Sequence, residues 1–183
     1  NLVLRTLKVA RYEAENRGHF GIASKYYCHF TSPIRRYPDL FIHRIISEYL
    51  ADNYDVPENW IEEYGKKAED RARESSEREK IATKVERESE DLKKAEYMEG
   101  KIGEEYEGIV SSVTQFGIFV ELPNTVEGLI RFDDLGDEYF IYDENRKRLI
   151  GERTNKTYQI GDKVKIRVKS ASKMLRQIDF EVF

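Results

Sequence analysis

The sequence predicts an α+β chain in which a mainly helical first part is followed by a small five-stranded β-barrel. Three observations carry this. Residues 66–99 contain neither Gly nor Pro. At Gly100 the apolar period switches from helical to two-residue. Five short alternating runs then follow within about 80 residues, the pattern of a small barrel.

Taken in order, residues 1–14 read as a short helix that stops near Asn16 to Gly18. Residues 19–23 and 26–30 are aromatic-rich and read as strand or loop. Pro33 and Pro38 each push the preceding residue out of helical geometry, so the segment between them is an ordered turn. Pro38 suits a first helical position, and Asp39 complements the positive helix end. The helix that follows sets Ile42, Ile45, Ile46, Tyr49 and Leu50 on one face.

After a polar break over 52–59, residues 66–99 read as one helix bracketed by Gly65 and Gly100, roughly 50 Å long. Its apolar line is thin: Ala68, Ala72, Ala82, Val85 and Leu92. The charged remainder reads as a solvated face with i,i+4 pairs such as Arg87–Asp91. Bulky residues at heptad seam positions are missing, which argues against a free-standing coiled coil. The five strands are expected over 106–113, 116–122, 127–132, 163–170 and 177–182. Residues 139–142 and 148–150 read as an inserted hairpin around Asp143, Glu144 and Asn145. Two domains are therefore expected, 1–99 and 100–183.

Composition narrows the function classes. The chain has 183 residues, of which 12% are aromatic, too many for a disordered segment. A single cysteine, Cys28, excludes a disulfide framework within the chain and any CxxC zinc knuckle, and fits a reducing, cytoplasmic setting. No apolar run reaches the roughly 18 residues of a membrane span, so no membrane partner is expected. The N-terminal stretch lacks a signal peptide's uninterrupted apolar core. The chain begins at Asn rather than Met and is read as a piece of a longer protein. Net charge is −4, but residues 1–50 hold eight basic against four acidic groups, and residues 151–183 again eight against four. Binding to a polyanion depends on local basic faces rather than the total, so RNA remains an open partner.

Two features in the second half suggest such a face. Lys163, Lys165, Arg167 and Lys169 alternate with Val164, Ile166 and Val168, which puts four cations on one side of a strand. They form either a phosphate track or the solvated side of a half-buried strand. In Phe116-Gly117-Ile118-Phe119-Val120, strict alternation would send Phe116 to the core with Ile118 and Val120. A bulge at Gly117 would bring both rings to one surface. Exposed rings on a small barrel are stacking platforms for bases. His19, His29 and His43 lack zinc-ligand spacing, and the Asp133, Asp134, Asp137, Glu138 stretch reads as a solvated acidic loop.

The run Gly108-Ile109-Val110, then Gln115 to Val120, then Glu127-Gly128-Leu129-Ile130 with Leu135 following, resembles an S1-type RNA-binding domain, an OB-fold barrel. That resemblance implies that Phe116, Phe119 and the residue after the Gly-Leu-Ile step line the RNA face. That position is often His in the family and is Arg131 here; Arg keeps both charge and planar stacking. Asp133 and Asp134 stand where the family often has small polar residues.

In the first half, Gly18 to Ala23 and His29-Phe30-Thr31-Ser32-Pro33-Ile34-Arg35-Arg36-Tyr37-Pro38-Asp39-Leu40, with His43-Arg44, resemble the C-terminal part of the nuclease domain of ribonuclease II-type exoribonucleases. An S1-type domain directly downstream is that family's order. The resemblance implies processive 3′-to-5′ hydrolysis of single-stranded RNA to nucleoside monophosphates, with Mg²⁺ held by an aspartate cluster far upstream of this segment. Arg35 matches the family's active-site arginine, and Arg36 is expected to pack or to face solvent. This chain alone is then expected to be a monomer that binds RNA, holds no metal and does not cut. The rival reading is a non-catalytic RNA-binding adaptor.

Overall fold

The turn that leads into the first α-helix among the described residues is built by proline. Pro33 and Pro38 flank a turn in which the N–H groups of Arg35 and Arg36 both donate to the Ser32 carbonyl, at 3.2 and 3.0 Å. A helix, α1 (Tyr37–Ala51), starts there with Pro38 in its first two positions, where no intrahelical N–H is lost. In this computed structural model, residues 11–55 and 57–183 are described. The helix expected over 1–14 lies mostly outside them, and residues 11–14 are not helical. Phe20–Ile22 form one 3₁₀ turn, closed by a bridge between His19 and Ser24. The expected apolar face of α1 is only partly covered: Ile42 and Ile45 are half-buried, whereas Ile46, Tyr49 and Leu50 are exposed.

The second helix, α2 (Trp60–Glu99), is longer than the sequence pattern suggested, because Gly65 lies inside it. Its start is set by local bonds rather than by the glycine. The Trp60 N–H donates to Pro57 O at 2.9 Å and the Glu63 N–H to Asn59 O at 3.0 Å. The Trp60 and Tyr64 rings pack at 4.6 Å across Gly65's turn. A lone interior glycine costs a helix about 1 kcal/mol, too little to end one so supported. Opposite-charge pairs line the helix, including Arg71–Glu74 at 3.0 Å and Arg73–Asp70 at 2.8 Å.

The chain divides into two compact units between Lys84 and Val85, within α2. The second unit holds the barrel. Strands β1 (Glu105–Thr114), β2 (Gly117–Glu121) and β3 (Glu127–Arg131) are antiparallel neighbours. An inserted sheet follows: β4 (Phe140–Asp143), β5 (Arg148–Gly151) and β6 (Thr157–Gln159). This is the expected hairpin with one further strand. The chain returns as β7 (Lys163–Ser172) and β8 (Gln177–Val182), closing a five-stranded barrel in the order β1-β2-β3-β8-β7. The closing contact is parallel, Leu129 beside Asp179.

Alternation fills the barrel. Val110, Ile118, Val120, Ile130, Ile166, Val168 and Phe180 are each at most 1% exposed. Ala95 and Met98 from the last turns of α2 join the same core. Gly128 is required by close packing, since a Cβ there would sit 2.5 Å from the Phe180 ring.

Candidate functional site

The barrel's outer face takes its shape from β2 and β3. Ile118 and Val120 point inward, so Phe119 points out and is half-buried, with Leu129 as its cross-strand partner. Phe116 lies in the β1–β2 turn rather than in the core and is 64% exposed. Gly117 pairs with Arg131, which places Phe116 at the same end of the β2–β3 pair as Arg131. The expected bulge is in the partner strand: register slips in β1 between Val110 and Ser112, and the Ser111 hydroxyl donates to Phe119 O at 3.2 Å. Gly117 serves another purpose. Its φ of +144° brings the main chain so close to β3 that a Cβ would lie 2.0 Å from Ile130 O.

Phe119, Leu129 and Arg131 line a groove of about 320 Å³ whose other walls include Lys94 and Arg176. Arg131 is 55% exposed and only loosely held by Asp179, at 3.7 Å. Arg176 pairs with Glu88 at 2.8 Å. The acidic members Asp91, Glu127 and Asp179 set limits on where a phosphate can sit. Lys94 and Arg176 escaped the sequence reading. Lys94 lies beside buried Ala95 on a helix read as a solvated face, and Arg176 in a turn, so neither belonged to a repeating pattern.

The β7 cations do share one outer face, as alternation requires, but the neighbouring strands answer them. Lys163 pairs with Glu107 at 3.3 Å, and Arg167 with Glu105 at 2.8 Å and Glu181 at 3.4 Å. Lys169 reaches Asp134 at 2.5 Å. The hydrogen bond to Glu105 holds Arg167 above its ordinary pKa, and the bond to Asp134 does the same for Lys169. Lys165 forms no ion pair among the described residues. β7 lies between β1 and β8, so its cations are not on the strands that carry Phe119 and Arg131. Exposed pairs of this kind are worth little.

The acidic loop is engaged as well. Glu138 accepts from the N–H groups of Arg153 and Thr154, each at 2.9 Å, and ties the inserted sheet together. The histidines are committed to ring contacts: His43 stacks on Phe30 at 4.1 Å, and His29 and His19 meet Tyr27 edge-on. Among the described residues no group of three or more His, Cys, Asp or Glu could hold a metal ion.

In the first unit the adjacent arginines diverge. The Arg36 guanidinium turns back to Asp39 at 2.9 Å, and Asp39, fully buried, also accepts from the Ser32 N–H at 2.7 Å. Burial pushes the Asp39 carboxyl up, but the Ser32 bond and Arg36 more than offset this and hold it below the ordinary carboxylate value. Arg36 Nε and Asp39 Oδ1 have no hydrogen-bond partner among the described residues, which satisfy this anchor only in part. Arg35 is exposed and makes no ion pair among the described residues. It lines a cleft of about 400 Å³ together with Tyr12, Tyr37, Arg71 and Arg78. One arginine holds the turn and the other is presented.

Comparison with known proteins agrees with both halves. Residues 1–52 match the RNB domain and residues 99–183 the S1 RNA binding domain. Ribonuclease R 1 of Lactococcus lactis is 49% identical over 98% of this chain, which spans 22% of that relative. Ribonuclease R of Escherichia coli is 38% identical over 99% of this chain and 23% of its own length. The chain thus spans about a quarter of the length of the curated relatives it matches. Apo RNase R of Mycoplasma genitalium superposes with a TM-score of 0.89 at 32% identity, over 100% of this chain and 28% of that one. The same enzyme in complex with ribose methylated single-stranded RNA gives 0.88, again at 32% identity and over 100% and 28% of the two chains.

Proposed function

We propose that this chain, which is similar to ribonuclease R proteins and matches an RNB domain over 1–52 and an S1 RNA binding domain over 99–183, is the RNA-holding end of a processive 3′-to-5′ exoribonuclease. Residues 1–99 close the nuclease domain and residues 100–183 grip single-stranded RNA. The whole enzyme releases nucleoside 5′-monophosphates in the cytoplasm. It uses Mg²⁺ held by aspartates in the part of its relatives that this chain does not span. The residues described here do not fit a metal site, since none of their His, Cys, Asp and Glu side chains gather in a group that could hold an ion.

The observation that carries the reading is the barrel face on which Phe119, Leu129 and Arg131 line one groove, with Phe116 exposed at its end. A ring there stacks on any base, and Arg131 supplies charge and a plane. The β7 residues Lys163, Lys165, Arg167 and Lys169 add a longer-range pull on the backbone. Arg35 contributes to turnover: a guanidinium presented from a rigid turn stabilises charge as the phosphodiester rearranges, and this raises the rate without tightening binding.

The chain is expected to be monomeric, to bind labelled oligo(A) more weakly as salt rises, and to leave it uncut in Mg²⁺. Phe119→Ala should cost about 1–3 kcal/mol of affinity by fluorescence anisotropy. Unchanged affinity in both Phe119→Ala and Arg131→Ala would remove the barrel face from RNA binding. A ladder of shortened RNA would place a metal site in this chain.

A further inference from the structure

The groove beside Phe119 carries a carboxylate that a stacking surface does not need. Glu127 lines it together with Phe119 and Leu129. It stands on the outer face of β3, directly opposite Glu121 of β2. Like charges set across a strand pair destabilise it. Neither carboxylate forms an ion pair among the described residues. The groove's arginines turn elsewhere, Arg131 towards Asp179 at 3.7 Å and Arg176 to Glu88 at 2.8 Å. Glu127 is nevertheless held in place. The hydroxyl of Ser111, the residue at the β1 register slip, lies 2.5 Å from Glu127 Oε1 and 3.2 Å from Phe119 O. One hydroxyl thus ties the carboxylate to the flank of the residue whose ring is offered to a base.

We infer that Glu127 is a base-selecting residue: it accepts hydrogen bonds from the edge of a base stacked on Phe119, and so favours guanine over uracil. This rests on the reading of the barrel face as an RNA-binding surface and adds selectivity to it. Stacking tolerates every base. The edges of a splayed-out base are what a protein can tell apart. An ionised carboxylate only accepts, and its two oxygens take two parallel N–H donors at once. Guanine offers its N1–H and a 2-amino N–H side by side. Uracil offers one N–H between two carbonyls, whose oxygens the carboxylate repels. Adenine and cytosine, each with an amino group beside a bare ring nitrogen, fall between. The charge that keeps a phosphate from this part of the groove therefore sorts bases by attraction and by repulsion together. Ser111 is the positioning residue, since its hydroxyl sets where the carboxylate stands.

The test measures fluorescence anisotropy of the whole chain with a short labelled oligo(U) that carries one central guanosine, inosine or uridine. Inosine differs from guanosine only in lacking the 2-amino group. The guanosine oligomer should bind about fivefold more tightly than the inosine one and about tenfold more tightly than oligo(U). Glu127→Gln should bring all three within about twofold. The ratio is the readout, because removing a negative charge strengthens binding of any RNA. Ser111→Ala should lower the guanosine preference while leaving the affinity for oligo(U) unchanged. Equal affinity for the guanosine and inosine oligomers, or a preference that survives Glu127→Gln, overturns the inference. If Phe119→Ala then still weakens all three oligomers, the RNA-binding reading of the face stands without it. If neither Phe119→Ala nor Arg131→Ala weakens any of them, both fall.

Discussion

The two units differ in what holds them. In the second, the hydrophobic core runs from Ala95 to Phe180, and every fully buried apolar side chain among the described residues lies in it. In the first, the one fully buried residue among those described is a carboxylate, Asp39, while Phe20, Ile34, Leu50 and Ile61 are all exposed. A barrel specified by its own apolar residues presents its Phe119–Arg131 face as a consequence of strand alternation. The first unit presents Arg35 through prolines, backbone turns and one buried ion pair. A site of the first kind survives most single changes outside the core. A site of the second kind depends on a few polar contacts.

The largest expected effect therefore comes from the barrel core. Phe180→Ala should cost about 3–5 kcal/mol, the usual range for a fully buried aromatic. Gly128→Ala should cost about 1–3 kcal/mol, because its Cβ would meet that same ring. Leu50→Ala, a large apolar truncation on an exposed face of α1, should stay within about 0.5 kcal/mol. Urea unfolding followed by far-ultraviolet dichroism gives all three. A Leu50→Ala loss as large as that of Phe180→Ala would show a core in the first unit that burial does not reveal.

The same contrast explains what was legible beforehand. The strands of the barrel could be read to within a residue or two, because period-two alternation is a local property that the core then enforces. Phe116 and Phe119, read from their motif as surface rings, are exposed and half-buried respectively. What could not be read depends on neighbours distant in sequence. The carboxylates that answer Lys163, Arg167 and Lys169 come from β1, β8 and the turn after β3, and only the closed register brings them there. The slip at Ser111, the third strand of the inserted sheet, and the entry of Ala95 and Met98 into the core have the same cause. In the first unit the resemblance separated Arg35 from Arg36, but no local pattern showed that Arg36 would turn back to a buried Asp39.

That buried pair gives a smaller effect with a pH signature. Arg36→Ala leaves Asp39 without its counter-charge. It should cost the first unit about 1–3 kcal/mol, less than a fully buried pair would, because Arg36 is 19% exposed. Asp39 titrates below its ordinary value when folded. Its contribution is therefore fully present above the unfolded carboxylate pKa and is lost as pH falls through the lower folded value. Hydrogen exchange of the α1 amides should show protection declining in acid. In Arg36→Ala the decline should begin at higher pH, because the largest charge holding the carboxyl down is gone. Identical acid profiles would mean that the Ser32 N–H alone sets the titration. The pair would then have no part in presenting Arg35.

The smallest effect reverses sign between the units. Gly65 lies inside α2, and a Cβ added there meets nothing within 4 Å. Its backbone is not among those at positive φ, so alanine fits without strain. Where Gly128→Ala collides with a packed ring, Gly65→Ala meets only solvent. It removes conformational freedom from the unfolded chain and should stabilise the start of α2 by about 0.4–1 kcal/mol. The sequence suggested a helix that begins after this glycine; the Trp60 and Glu63 backbone bonds carry it further back. Exchange rates of the amides from Tyr64 to Ala68 read the gain directly. Slower exchange in Gly65→Ala than in the parent chain fits a helix whose first turns are limited by propensity rather than packing. Faster exchange would mean that the glycine is needed for a bend, and that the first turns of α2 are shaped by contacts as the barrel is.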